Sequence, residues 1–299
     1  MGYSRWDGAT YDSYAKTTNY RAASTREMFK HTLNEKLDPR NVKVGKGDRK
    51  GLQLRESIIS EQNPDPTPII LGLDVTGSMG DVARQIAAEE LPKLMTAIHD
   101  TKVVSDPHVM FMGIDDVYAQ GYGALQVSYF EPDLKIVEQL RNMWLVQNGG
   151  GNGSESYDLA WYFAGRYTYS QNFEVTGKKG FLVTFGDEPV PFRLMEAEHL
   201  KTIFGPGDYE AVTPENALEM AKAKYHVFHV SIEKGGYDLS GWDRLLGTNH
   251  LRLRASDVPL ISDVVLAMME IVGGANIHEV IARSKHSRTL EHAFRNALK

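Results

Sequence analysis

The sequence predicts an α/β protein built on a doubly wound, mainly parallel sheet flanked by helices, and three observations carry that prediction. Apolar runs beginning at Ile69, His108 and Gly180 have the near-continuous hydrophobicity of strands covered on both faces. Segments of helical periodicity lie between them. Each run ends in small polar or acidic residues, and the carboxyl ends of strands are where open α/β sheets place their ligands.

Taken in order, residues 1–67 form an extension rich in Tyr, Thr, Ser and Lys and poor in aliphatics. One helix is expected there, Ser24 to Leu37, capped by Ser24 or Thr25, followed by a loop from Gly45 to Gly51. Trp6, Tyr11, Tyr14 and Tyr20 suit an arm packed on this subunit or a neighbouring one. Asn63-Pro64-Asp65-Pro66-Thr67-Pro68 reads as a stiff connector, which sets a main domain at 68–274. Val82, Ile86, Leu94 and Ile98 recur at helical intervals, and Pro92 predicts a kink or restart near Leu91. His108 to Asp115 reads as a strand, Leu125 to Phe130 as an edge strand, and Leu134 to Trp144 as a helix. Tyr157 to Tyr167 is an apolar helix, and Thr213-Pro214-Glu215 opens another that runs toward Lys224. His226 to Ile232 and His250 to Leu253 are strands around a short helix, Trp242 to Leu246. Val258 to Val272 closes the domain at Gly273-Gly274, and residues 275–299 form one or two tail helices. His226 and His229, three apart on a strand, face opposite sides and read as packed side chains rather than a metal pair.

Function is narrowed most by the end of the first run, Leu73-Asp74-Val75-Thr76-Gly77-Ser78. Asp74, Thr76 and Ser78 are two apart, so an extended or gently turning backbone aims three side-chain oxygens the same way. Carboxylate and hydroxyl oxygens are hard ligands that suit Mg²⁺, Mn²⁺ or Ca²⁺. The plainer alternative is a strand-to-helix turn whose polar residues cap the following helix. Asn148-Gly149-Gly150-Gly151-Asn152-Gly153-Ser154-Glu155-Ser156 is a second candidate loop, able either to let backbone approach a ligand or merely to cap the next helix with Ser154. Gly186-Asp187-Glu188-Pro189 ends a third buried strand in acids, with a surface turn as its plainer reading.

These residues resemble those of von Willebrand factor A domains, whose metal-ion-dependent adhesion site carries Asp, Ser or Thr, and Ser at the first spacing. The resemblance implies that Thr76 and Ser78 bind a metal directly and that Asp74 acts through water. The element order from about Thr67 to Gly274 resembles that family too. The Gly-rich loop resembles the family's second metal loop, with Asn152 where Asp is usual and Glu155 matching its Glu; Asn152, Ser154 or Glu155 would supply this part of the shell. The third family motif, Thr-Asp-Gly, corresponds to Thr184-Phe185-Gly186, so the acid is displaced to Asp187, with Asp115 or Asp116 as substitutes. Arg55-Glu56-Ser57, the Gly-rich loop and Gly186-Asp187-Glu188 further resemble an uncharacterised bacterial and phage group of such proteins.

Composition bounds the remaining possibilities. A chain of 299 residues with 42% hydrophobic and 24% charged residues can bury a full α/β core and still carry extensions. No apolar run reaches membrane-spanning length and the amino terminus carries no apolar signal core, so a cytoplasmic protein is expected, or a virion-associated one. With no cysteine, disulfides, thiolate-bound zinc and thiol catalysis are excluded. Residues 1–67 hold 12 Lys or Arg against 9 acids and residues 274–299 hold 5 against 2; with −6 overall, the stretch between carries −12. Basic ends this weakly charged do not make a nucleic-acid site, and no nucleic-acid-binding motif accompanies them.

The expected function is therefore metal-dependent protein binding without catalysis, a cation bridging to an Asp or Glu of a partner, with the terminal extensions available for homo-oligomer contacts. Two other classes use the same residues. Asp74-Val75-Thr76-Gly77-Ser78 also resembles the phosphorylation motif of haloacid-dehalogenase-like phosphohydrolases, in which Asp74 would be a nucleophile. Alternatively the domain is scaffold in a phage or bacterial assembly, joined through its extensions.

Overall fold

In the computed structural model, which describes residues 5–42, 54–145 and 155–299, alternation along each strand sends successive side chains to opposite faces of a six-stranded sheet. The strands are β1 (Arg55–Ser57), β2 (Pro66–Asp74), β3 (Asp106–Ile114), β4 (Leu125–Val127), β5 (Thr168–Ser170), β6 (Gly180–Gly186), β7 (Tyr225–Glu233) and β8 (His250–Arg254). The main sheet runs β4-β3-β2-β6-β7-β8; all neighbours are parallel except β4, antiparallel at one edge. β1 and β5 form a separate parallel pair. This is the α/β class that the apolar runs predict.

Ile69, Leu71 and Leu73 point to one face, joined by Phe111, Val183, Val230 and Leu251 under the helices Leu91–Thr101 and Ile261–Val272. Ile70 points to the other with Met110, Leu182 and Val227, under the helices Tyr157–Tyr167, Ala197–Phe204 and Pro214–Lys222. Burial on both faces explains why the strands read as continuous apolar runs instead of alternating ones. No helix among the described residues is long and apolar enough to cross a membrane.

Several expectations are corrected by backbone pairing. The expected helix from Ser24 to Leu37 is a single turn, Thr25–Met28, although Ser24 and Glu27 form the capping box. It stops because the chain pairs sideways: Lys30 N–H donates to the Met143 carbonyl at 2.9 Å. The helix that does form in the extension is Gly8–Thr17, capped by Asp7. The connector is partly strand, for β2 starts at Pro66; pairing to β6 begins only at Ile69, so the prolines face no donor-requiring partner there. β4 ends at Val127, whose N–H turns to the Leu37 carbonyl, well short of Phe130. The helix expected at Leu134 to Trp144 spans Lys135–Leu140, and both backbone groups of Trp144 bond the Gln126 side chain instead. Near Leu91 the expected irregularity is a π-turn, Ile86–Glu90, after which Pro92 sits in the first turn of the next helix. The tail is two helices, Ile277–Arg283 and Ser287–Ala293.

The aromatic arm packs on this chain's own domain. Trp6, Tyr11 and Tyr20 are buried in the core under the Leu91–Thr101 side of the sheet. Tyr11 and Tyr20 donate their hydroxyls to the Ala88 and Ala87 carbonyls at 2.9 and 3.2 Å, inside the π-turn, and Trp6 Nε1–H reaches Thr96 Oγ1 at 3.1 Å. The Gly45 to Gly51 loop lies outside the described residues.

Candidate metal-binding site

β2 and β6 are neighbours, yet the chain leaves β2 toward helices on one face and β6 toward helices on the other. A crevice at such a switch point is the usual place for a ligand. Beyond β2 lie Asp74, Thr76 and Ser78; beyond β6 lies Asp187. A continuous line of side-chain hydrogen bonds joins them. Thr76 Oγ1–H donates to Asp74 Oδ1 at 2.6 Å, supported by Thr76 N–H at 2.9 Å. Thr76 Oγ1 and Ser78 Oγ are 3.2 Å apart, and Ser78 Oγ–H donates to Asp187 Oδ1 at 3.0 Å.

Two residues unforeseen in the sequence complete this group. Tyr157 donates its hydroxyl to Asp74 Oδ2 at 2.8 Å, so both Asp74 oxygens are engaged. A Cβ on Gly186 would lie 1.8 Å from that hydroxyl, so the Tyr157 position depends on glycine there. Lys234, immediately after β7, places its ammonium 3.0 Å from Asp187 Oδ2 and donates to the Ser78 carbonyl. Its place at a strand's carboxyl end was a usable signal. Tyr157 had none beyond its nearness to Glu155, because it reads as the first apolar residue of its helix.

Of the other expected residues, Glu155 is buried, and its Oε2 has no hydrogen-bond partner among the described residues. Asn152 and Ser154 lie outside the described residues. Asp116 accepts from Tyr118 N–H at 3.0 Å and so caps the turn Val117–Gln120. Asp115 takes the Asp116 N–H on Oδ1 at 2.7 Å, and its buried Oδ2 has no hydrogen-bond partner among the described residues. His229 is a packed side chain, stacked on Trp242 at 3.6 Å with Nδ1 2.8 Å from Thr184 Oγ1.

Solved structures are similar to parts of this chain. The pilus adhesin SpaC from Lactobacillus rhamnosus GG is similar over 73% of this chain at 12% identity and a TM-score of 0.47, and its open conformation gives the same score at 13%. The match spans 32% of the adhesin's length. A von Willebrand factor type A protein from Catenulispora acidiphila is similar over 69% of this chain and 42% of its own, at 12% identity and a TM-score of 0.39. No family model and no curated protein matches the sequence.

The site's electrostatics are those of acids crowded in a dry place. Burial pushes the Asp74 carboxyl up to about 7, against the hydrogen bonds from Thr76 that favour its ionised form. Burial, with Asp74 and Asp115 nearby, pushes Glu155 up to about 9, and burial lifts Asp115 to about 6. Glu188 is raised by burial as well, and its Oε2 is another buried oxygen without a hydrogen-bond partner among the described residues. Among the described residues no three His, Asp or Glu side chains are grouped to hold a metal on their own. A cation here would depend on the Thr76 and Ser78 hydroxyls, and the donor set of hydroxyls, carboxylates and unpartnered carboxyl oxygens fits a hard divalent ion.

Proposed function

We propose that this chain is a von Willebrand factor A-type binding protein that takes hold of an acidic side chain of another protein through a divalent cation, Mg²⁺ first and Mn²⁺ or Ca²⁺ as alternatives. The observation that carries this reading is the unbroken contact Asp74, Thr76, Ser78, Asp187 across two adjacent strands at the switch point. Thr76, Ser78 and Asp187 would hold the ion, with Asp74 and Glu155 supplying oxygens directly or through water. Bound Mg²⁺ supplies an incompletely saturated hard centre with a position open to a carboxylate.

The chain's own residues prepare that arrangement. Thr76 and Tyr157 fix the Asp74 carboxylate from both sides, and Ser78 orients Asp187. Phosphohydrolases of that kind usually carry a second Asp two residues after the nucleophile as general acid, and this chain has Thr76 there, which favours binding over that chemistry. The scaffold reading differs in predicting metal-insensitive assemblies.

Calorimetric titration of the metal-free protein with Mg²⁺, Mn²⁺ and Ca²⁺ tests the proposal. One-site binding is expected, lost in Asp74→Ala while the circular dichroism spectrum is kept. A folded wild type that binds none of the three ions would end the metal reading.

A further inference from the structure

Exposed large hydrophobic side chains are unevenly distributed. Seven are exposed among the described residues, and five of them, Tyr118, Tyr122, Phe192, Leu194 and Tyr237, lie on loops at the carboxyl edge of the sheet. Scattered single residues of this kind are ordinary; several gathered on one edge mark an interaction surface. Phe192 is 66% exposed and Tyr237 49%, far more than packing alone would leave uncovered on so apolar a residue.

The patch is organised rather than loose. Tyr118, on the loop after β3, donates its hydroxyl to the Leu194 carbonyl at 2.8 Å and so joins that loop to the one after β6. The Arg193 guanidinium lies 4.8 Å from the Tyr118 ring centroid and 5.4 Å from that of Phe192. Against the Tyr118 ring also stands the His199 ring, at 4.6 Å. Arg193 has no carboxylate partner among the described residues. An arginine held beside aromatic rings, with no carboxylate partner among the described residues, is prepared for a carboxylate, because contact with the rings has already taken some of the freedom of its planar fork. Tyr237, on the loop after β7, is close enough to Glu188, which follows Asp187 directly, for that acid to raise the tyrosine's pKa. The acidic site thus lies between an apolar shoulder on the β3 side and a second on the β7 side.

We propose that this edge binds a partner-protein segment carrying two acidic residues and an aromatic or large aliphatic one: the first carboxylate enters the Asp74, Thr76, Ser78 and Asp187 site, the apolar side chain lies on Phe192 and Leu194, and the second carboxylate pairs with Arg193. The role of the first carboxylate rests on the metal-bridge reading; the other two contacts do not. Charge complementarity selects this occupant, since Arg193 asks for an acid and the rings around it ask for an apolar neighbour. Trp, Tyr and Arg are the residues that most often dominate binding energy at such surfaces.

The test is selection of a random dodecapeptide library on the wild-type protein in Mg²⁺, followed by affinity measurement of the enriched peptides. Expected are peptides with two acids and an aromatic or large aliphatic residue. Their affinity should fall roughly tenfold or more in Arg193→Ser and in the double variant Phe192→Ser with Leu194→Ser. If the peptides are lost in Asp74→Ala and EDTA but bind both shoulder variants normally, this proposal fails while the metal bridge stands. If the shoulder variants lose the peptides while calorimetry detects no metal, the bridge fails and the shoulder contacts stand. Enrichment without acidic residues, or concentration-dependent self-association abolished by Phe192→Ser, would overturn the proposal, the latter by making a second copy of this chain the occupant. The shoulder variants change exposed or half-exposed side chains, and unchanged thermal midpoints confirm that they are folded; Asp74 is buried, so the fold of Asp74→Ala is checked by its circular dichroism spectrum.

Discussion

Lys234 sets a cation beside Asp187 before any metal arrives, so a divalent ion entering the site must share that carboxylate or displace the ammonium. Replacing it, Lys234→Gln, is expected to tighten Mg²⁺ binding on the order of tenfold in calorimetry, through removal of a like charge at close range. Unchanged affinity would mean that the side chain swings aside at no cost. Asp158 offers a test of burial away from the hydroxyl pair. It lies in the first turn of Tyr157–Tyr167, and burial pushes its carboxyl up to about 7. With the folded value above the unfolded one, about 4, the unfolded chain loses its proton first; the resulting cost to stability grows as pH rises between those values and is complete above about 7. Asp158→Asn should therefore be more stable than wild type at pH 8, by about 1–2 kcal/mol, with the advantage gone near pH 4. Equal denaturant midpoints at both pH values would contradict this. At this scale the sequence is most informative where chemistry follows a strand: Asp74, Thr76, Ser78 and Asp187 could be picked out because polar residues ending an apolar run are conspicuous. Tyr157 could not, since one hydroxyl in an apolar helix looks like core until the fold turns it toward Asp74.

Between elements, the close approach of β6 to the helix Tyr157–Tyr167 is the tightest constraint on the site. Gly186→Ala places a methyl on the Tyr157 hydroxyl, and relief requires moving a ring that also packs edge-on against His229 and Trp242. A loss of about 2–4 kcal/mol in urea unfolding is expected, together with weaker metal binding. A variant as stable as wild type would show that the helix has room to retreat. Strands were legible because burial on both faces leaves a continuous apolar run. Helix ends were less so: Ser24 and Leu134 carry proper helical signals, yet partners distant in sequence, the Met143 carbonyl for Lys30 and the Gln126 side chain for Trp144, end those helices early. Nothing local in Arg55-Glu56-Ser57 announces pairing with Thr168, and so β1 and β5 were missed.

For the molecule as a whole, the amino-terminal arm belongs to the core that it covers. Removing residues 1–23 uncovers the sites of Trp6, Tyr11 and Tyr20 and leaves the Ala87 and Ala88 carbonyls without those hydroxyls. A loss of roughly 2 kcal/mol for each buried aromatic is expected, read as a lower denaturant midpoint and exposed hydrophobic dye-binding surface. A truncated protein with the midpoint of the full chain would show the arm to be dispensable.

The central position of β2 also has a consequence in time. Its neighbours are β3 and β6, and Ser78 meets Asp187 across 109 positions of chain. Contacts of such separation form late, because the intervening chain must be closed before they contribute. During synthesis, the apolar strand that leads to Asp74 emerges long before the one that completes its pairing, and it has an open edge throughout that interval. Slow refolding is therefore the expected counterpart of the strand order that brings the acids together.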